Sequence, residues 1–258
     1  MNQRVLPVGD LPQPAGTTVD LPVPSSALAI AAHPDDAEFG CGATLAKWAA
    51  GGCRIHHLVL TDGSKGSWEE DDALELVRQR HAEQVEAARR LGGGDVDFLD
   101  LPDCELASGL VERRAVCEVI RRVRPQVVLG HDPWRRYRLH PDHRHAGWLA
   151  TDAVVAAREP RFAPELGSAH RPSTLLLWEA DEPNHVEEAG ARTLSTKLSA
   201  LLAHTSQYRS TMGIEPDDGG RQGAEQLRER LEQQMAAHGA LARPPVALGE
   251  AFRLVTDL

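Results

Sequence analysis

With 258 residues, 41% of them hydrophobic and 26% charged, the chain has the composition of a folded globular protein and the length for one substantial core. A formal net charge of -10, with no compact basic block outside residues 135–138, argues against a nucleic-acid partner. No run approaches the ~20 apolar residues that span a bilayer, and the N-terminus lacks a charged-then-apolar leader, so a cytoplasmic protein without membrane association is expected.

Residues 1–24, Pro-rich and without apolar periodicity, read as an extended arm ahead of a single domain over residues 25–258. Whether the arm covers its own domain or a neighbour stays open, as does homo-oligomerisation. The apolar run 27–32 has the form of a buried parallel strand and stops at His33-Pro34, because proline disfavours helix in the residue before it. Residues 40–50 predict a helix with Leu45 and Trp48 inward, closed by Gly51-Gly52, and residues 54–60 a second strand. After a loop at 61–66 comes a helix over 72–91, carrying Arg80 and Glu83 on one face and ending at three glycines. A strand at 96–99, a helix at 110–123 and, past Pro125, a strand at 126–129 continue the alternation. Further on, a helix over 143–158, a strand at 174–178 and a helix over 193–204 precede a turn at Asp217-Asp218-Gly219-Gly220. A helix over 223–237 and a closing strand at 250–255 complete the chain. Such alternation predicts an α/β fold of Rossmann-like, three-layer α/β/α form, its mainly parallel sheet covered on both faces and its site at the strands' carboxyl ends.

Two tetrapeptides fall at such ends. His33-Pro34-Asp35-Asp36 offers an imidazole and two carboxylates directly after a buried strand. His140-Pro141-Asp142-His143 places two imidazoles within one turn of a helix beginning near Pro141. Zinc takes nitrogen and oxygen ligands, and catalytic sites combine three protein ligands with an open water position. His33 and Asp36 can supply two ligands and one of His140 and His143 a third, with the other imidazole facing substrate and Asp35 free as general base. Taken alone, an Asp-rich turn after a strand more often caps a helix; the pairing of two such turns favours the metal. Eight other histidines, His56, His57, His81, His131, His145, His170, His185 and His204, are expected as core or surface residues. Cys41, Cys53, Cys104 and Cys117 form no Cys-x-x-Cys pair and suggest neither a thiolate zinc site nor a disulfide framework. A nucleotide-binding module is disfavoured because neither Gly-x-Gly-x-x-Gly nor a P-loop is present.

These residues resemble the LmbE-like or PIG-L-like N-deacetylases. Residues 32–38 with 40–45 are similar to the family's first motif, and His140-Pro141-Asp142-His143-Arg144 to its second. Arg80-His81-Ala82-Glu83 with Leu91-Gly92 resembles its Arg-x-x-Glu helix, and Lys197 through Leu201 with His204, Ser206 and Gln207 a later signature. The resemblance implies a zinc enzyme, or one using another divalent first-row metal, that removes an N-acetyl or N-acyl group from a small glucosamine-containing substrate. It implies that His33, Asp36 and His143 bind the metal, that Asp35 is the base, and that His140 faces the scissile amide as an imidazolium. It further implies that Asp142 orients His140 or its neighbour and that Arg80 and Asp103 contact sugar hydroxyls. Glu38 is expected to cap a helix or accept a supporting hydrogen bond, and His204, Ser206 and Gln207 to lock the last helix against the sheet. Where some members carry a tyrosine two residues before His140, this chain has Arg138, with Tyr137 beside it; Arg138 can serve as a charged donor to substrate. A conjugate amidase acting on a larger, thiol-pseudodisaccharide substrate is the alternative within the same family.

Overall fold

The computed structural model describes residues 17–68, 72–215 and 220–258. Its strands are β1 (Thr18–Val19), β2 (Ser26–Ala31), β3 (Arg54–Thr61), β4 (Asp95–Leu101), β5 (Val127–His131), β6 (Thr174–Trp178), β7 (His185–Ala189) and β8 (Leu248–Val255). The α-helices are α1 (Asp36–Ala50), α2 (Ala73–Leu91), α3 (Leu110–Val123), α4 (Pro141–Arg158), α5 (Ala191–Leu201) and α6 (Arg221–Gly239). The strands form one sheet in the order β1-β7-β8-β6-β5-β2-β3-β4. Neighbours run parallel except β8, which is antiparallel to both β6 and β7. The expected mainly parallel α/β architecture is therefore what the chain adopts.

Side-chain alternation along β2 sorts the core into two layers. Leu28 and Ile30 pack with Leu58, Leu60, Val116, Ile120 and Leu149 on the face covered by α3 and α4. Ala27, Ala29 and Ala31 pack with Leu45, Trp48 and Leu91 on the face covered by α1 and α2. Both faces being buried, the strand reads as an uninterrupted apolar run, as parallel sheets require.

The chain runs from β2 outward through β3 to β4, then returns to place β5 on the other side of β2. Loops leaving the carboxyl ends of β2 and β5 thus diverge and open a crevice between them. Both tetrapeptides sit on this crevice. Helix α4 above it is anchored at its far end by Arg121, 3% exposed, whose guanidinium donates to the carbonyls of Ala156, Ala157 and Glu159. A buried cation there satisfies carbonyls that the last helical turn leaves unpaired.

Helix α1 begins at Asp36, four residues before the predicted start, and is broken at Cys41 (φ -148°, ψ 19°). The break frees backbone N–H groups that the Glu250 carboxylate then accepts, from Ala43 at 3.1 Å and Thr44 at 2.7 Å. Lys197 completes the arrangement, its Nζ donating to Glu250 Oε1 at 2.6 Å and to the Phe39 carbonyl at 2.7 Å. Polar residues at 36 and 38 hide the first turn from a periodicity reading.

Strands β1 and β7 were not expected. β7 carries His185 and Glu187, both 0% exposed, and so lacks an apolar signature. Their partners are polar: Thr18 Oγ1 lies 2.8 Å from His185 Nδ1, His185 Nε2 2.9 Å from Glu187 Oε1, and Leu21 N donates to that same oxygen at 2.8 Å. The described end of the N-terminal arm is therefore held along the sheet edge, while residues 1–16 and Asp217, Asp218 and Gly219 of the predicted turn lie outside the described residues.

Lys197→Met leaves the Glu250 charge buried without its cation and is expected to lower stability by ~3–5 kcal/mol. Urea denaturation reads this, and adding Glu250→Gln should recover part of the loss. A midpoint unchanged in the single variant would show that the pair does not support the broken helix.

Candidate active site

Strand β2 delivers the first tetrapeptide into the crevice. Asp35 takes a left-handed conformation (φ 100°, ψ -24°), a strained state for a residue with a Cβ. Its backbone is clamped there: Gln84 Oε1 accepts from Asp35 N at 3.0 Å, and Arg80 donates to the Pro34 carbonyl at 2.8 Å. Although Asp35 occupies the N-cap position of α1, its carboxylate accepts no capping bond and faces the cavity. Helix capping by the side chain, the commoner role of such a turn, is thus not the one this carboxylate performs.

Asp36 is the hub. Its Oδ2 accepts from His33 N at 2.7 Å and lies 3.2 Å from His131 Nε2, while its Oδ1 lies 3.2 Å from His143 Nε2. Those imidazoles come from β5 and α4 and the backbone N–H from the turn after β2, so one carboxylate joins the two sides of the crevice. The His33 ring continues outward, its Nε2 3.1 Å from Asp142 Oδ2 and 3.2 Å from Asp103 Oδ1.

A cavity of ≈ 640 Å³ opens over this cluster, lined by His33, Asp35, Asp36, His140 and His143 and extending to Gln234 and His238 of α6. The size suits a small-molecule ligand. Of the other expected residues, Arg80 and Asp103 also line it, but both are already engaged. Arg80, 2% exposed, is fixed by the Gly63 and Pro34 carbonyls, and Asp103, 3% exposed, accepts from Lys65 N at 3.0 Å. Asp142, 0% exposed, gives its oxygens to His33 Nε2 and to the backbone N–H groups of Cys104 and Leu106, so the ring it hydrogen-bonds is that of His33 and not of His140. Arg138 lies behind the cavity wall, 2.7 Å from Glu179 Oε2 and 3.1 Å from His131 Nδ1. Tyr137 is 93% exposed.

Sequence reasoning set His131 aside as a core or surface residue; it is core, 1% exposed, yet it lies on Asp36 and stacks on His143 with ring centroids 4.4 Å apart. Its position at the end of β5, the strand beside β2, was the available signal. Glu38 and His204 sit behind Asp35, both 0% exposed and 3.7 Å apart, with Gln84 Nε2 donating to Glu38 at 2.9 Å. Glu38 thus accepts a supporting hydrogen bond, one of its two expected roles. Ser206 and Thr205 bind Glu83, tying the end of α5 to α2.

The electrostatics favour positive charge at the centre. Against the cost of burial, His143 and His131 hold Asp36 well below the usual carboxylate range. Burial also works against a charged His33, but Asp103, Asp142 and Asp36 keep its pKa well above the ordinary histidine value. His140 goes the other way: burial and the neighbouring His33 and His143 hold its pKa below the ordinary histidine value. Burial, aided by Asp36 and opposed by Arg80, pushes the Asp35 carboxyl up to about 6.

These groups suit a divalent cation. One ligand atom from each of His33, Asp36 and His143 lies within 4.8 Å of the others. Ligands bound tetrahedrally at ~2.1 Å sit ~3.4 Å apart, and the 3.2 Å between His143 Nε2 and Asp36 Oδ1 matches that edge. Fold and site together define an α/β protein with a His/Asp cluster, able to hold a metal ion, lining a cavity at the carboxyl ends of the strands.

The family model of PIG-L, GlcNAc-PI de-N-acetylase, matches residues 28–154. Diacetylchitobiose deacetylase of Thermococcus kodakarensis is 36% identical over 186 residues, covering 70% of this chain and 69% of that one. A 1D-myo-inositol 2-acetamido-2-deoxy-α-D-glucopyranoside deacetylase of Geodermatophilus obscurus is 35% identical over 169 residues, 55% of this chain and 57% of that protein. The structure of N,N'-diacetylchitobiose deacetylase from Pyrococcus horikoshii, bound to an inhibitor, superposes with a TM-score of 0.78 at 28% identity, covering 90% of this chain and 84% of that one. The chain belongs to the PIG-L family of LmbE-like deacetylases.

Gly40 passes directly beneath the Trp178 indole, and a Cβ there would stand 2.6 Å from two ring atoms. Gly40→Ala is therefore expected to cost ~1–3 kcal/mol by overpacking. Thermal unfolding measures it; an unchanged Tm would mean that the indole has room to move.

Proposed function

We propose that the protein is a zinc-dependent hydrolase that removes an acetyl group from the nitrogen of a small glucosamine-containing substrate, releasing acetate and a free amine. The observation that carries this reading is Asp35: a buried carboxylate in a strained turn, uncapped, facing the cavity beside the His33, Asp36 and His143 cluster. Names of the relatives agree with it, since those proteins are deacetylases of acetylated amino sugars.

In this mechanism His33, Asp36 and His143 hold the cation. Zinc supplies a Lewis acid that acidifies water and polarises the amide carbonyl. Asp35 takes the proton from the attacking water at its free carboxylate oxygen, a role that suits a pKa displaced toward neutrality. His140 has a buried Nδ1 with no hydrogen-bond partner and sits at the cavity edge. Its ring N–H donates to the developing oxyanion, and it relays the proton that Asp35 removed from water on to the departing nitrogen. Arg80 and Asp103 bind sugar hydroxyls with whatever hydrogen-bonding capacity their protein partners leave. Asp142 fixes the His33 ring from behind.

A second reading, an amidase cleaving a larger acyl group from a thiol-pseudodisaccharide, draws on the cavity's extension to α6, well past the cluster. It uses the same groups, and a substrate panel separates the two.

The deciding experiment is an acetate-release assay on N-acetylglucosaminides, with metal analysis and with and without a chelator. About one zinc per chain and chelator-sensitive release are expected; a reconstituted protein that binds no metal would overturn the reading. His143→Ala should lose metal, and full occupancy there would place the third ligand elsewhere. Asp35→Asn should keep metal and lose turnover by at least ~100-fold. Because burial raises the Asp35 pKa, the protonated form is the one folding favours, so the same variant should also raise the Tm of the metal-free protein at neutral pH. A base works only when ionised, and a bound cation would bring its raised pKa back down, so kcat/KM should fall only as pH drops through and below about 6. An acid limb centred above pH 7 would show that another group is the base.

A further inference from the structure

The Asp36 carboxylate has one oxygen, Oδ1, toward His143 and the other toward His131. That second oxygen, Oδ2, is held by the His33 backbone N–H at 2.7 Å and by His131, so what holds His131 contributes to how firmly it is fixed. Trp178 ends β6 directly opposite His131, the two residues being register partners across the β5 and β6 pair. Trp178 Nε1 lies 3.0 Å from His131 Nδ1, and Arg138 approaches the same atom at 3.1 Å.

Indole and guanidinium nitrogens donate and never accept. Nδ1 must therefore be the acceptor, unprotonated, and the ring's hydrogen sits on Nε2, aimed at Asp36 Oδ2 at 3.2 Å. That assignment removes His131, His143 and Glu179 as a rival metal cluster, although their ligand atoms also lie within 4.8 Å of one another. The His131 lone pair that such a cluster needs is already committed to Trp178. The ring cannot turn, for it is 1% exposed, stacked on His143 at 15° and edge-on to Trp178 at 4.9 Å.

We propose that Trp178 and His131 are positioning residues for Asp36: the indole N–H fixes the imidazole tautomer, and the imidazole N–H holds one carboxylate oxygen so that the other is presented to the cation. The proposal rests on Asp36 being a metal ligand. Losing a group that orients a ligand from behind typically costs a metal site ~10–100-fold in affinity. Arg138, expected to meet substrate, belongs to this support, since its NH1 is shared between His131 and Glu179.

The test measures the zinc dissociation constant of the full chain by competition with a chromogenic chelator, alongside thermal unfolding of the metal-free protein. His131→Phe keeps the ring's bulk and removes both nitrogens, and should weaken zinc ~10–100-fold. His131→Gln carries an amide N–H near the Nε2 position and should restore most of the affinity. Trp178→Phe frees the tautomer and should fall between wild type and His131→Phe. A purely structural role would lower the Tm and leave the zinc affinity of the folded protein where it was. Wild-type affinity in His131→Phe, or His131→Gln as weak as His131→Phe, overturns the proposal. Should His131→Phe fail to fold, Trp178→Phe decides alone, wild-type affinity being the contrary result. A wild-type protein that binds no zinc defeats the proposed function as well, whereas normal wild-type binding with an unaffected variant defeats this inference only.

Discussion

One carboxylate ties the site together. Asp36 accepts from the backbone of His33 and meets imidazoles from β5 and α4, so the loops on opposite sides of the crevice share a single buried anion. A buried carboxylate without partners costs several kcal/mol, and such a group stays ionised only when opposing charge and donors surround it. The surroundings here come from three separate stretches of chain, brought together because β2 and β5 are neighbours at the point where the sheet's winding reverses. The anion is in this sense the reason the histidines converge, and the converging histidines are the reason a cation can be held.

Much of this could be read in the sequence because it is carried by local chemistry. An apolar run stopped by His-Pro marks a buried strand with a polar end, and the alternation of strands and helices implies the crevice over which such ends gather. What escaped was long-range. His131 follows its strand just as His33 follows β2, but nothing adjacent to it in sequence distinguishes it from a buried histidine without a role; the distinction lies in Asp36 and Trp178, 95 and 47 residues away. The polar strand β7 was missed for a related reason. His185 and Glu187 satisfy each other and the edge residues Thr18 and Leu21, and that mutual satisfaction substitutes for the apolar pattern by which strands are recognised.

The residues expected to contact substrate illustrate the same limit from the other side. Arg80, Asp103 and Arg138 have the right chemistry for recognising hydroxyls or anions, but each is largely buried and already bonded within the protein. Arg80 supports the strained turn, Asp103 braces His33 and the loop after β3, and Arg138 braces His131. Charged groups near a site are first a matter of holding its geometry, because buried polar atoms must find partners whether or not a substrate is present.

Asp35 is where local stability gives way. Its backbone is held in a left-handed state that non-glycine residues avoid, and its carboxyl is buried without a capping bond, with a pKa displaced to about 6. Raising a carboxyl pKa above its unfolded value means that folding at neutral pH works against the charged form, so the turn is maintained by its neighbours and not by its own energetics. Those neighbours are built on rigid elements: Gln84 and Arg80 on α2 grip the backbone on either side of Asp35, and behind Gln84 stands the Glu38 and His204 pair in a fully buried setting. A group that is strained, uncapped and displaced toward neutrality persists only where surrounding structure over-determines it. Here the over-determination comes from Gln84 and Arg80 on α2, Glu38 on α1 and His204 after α5, whereas Asp36 is met by His131 of β5 and His143 of α4, so the base and the ligand beside it in sequence have different supports.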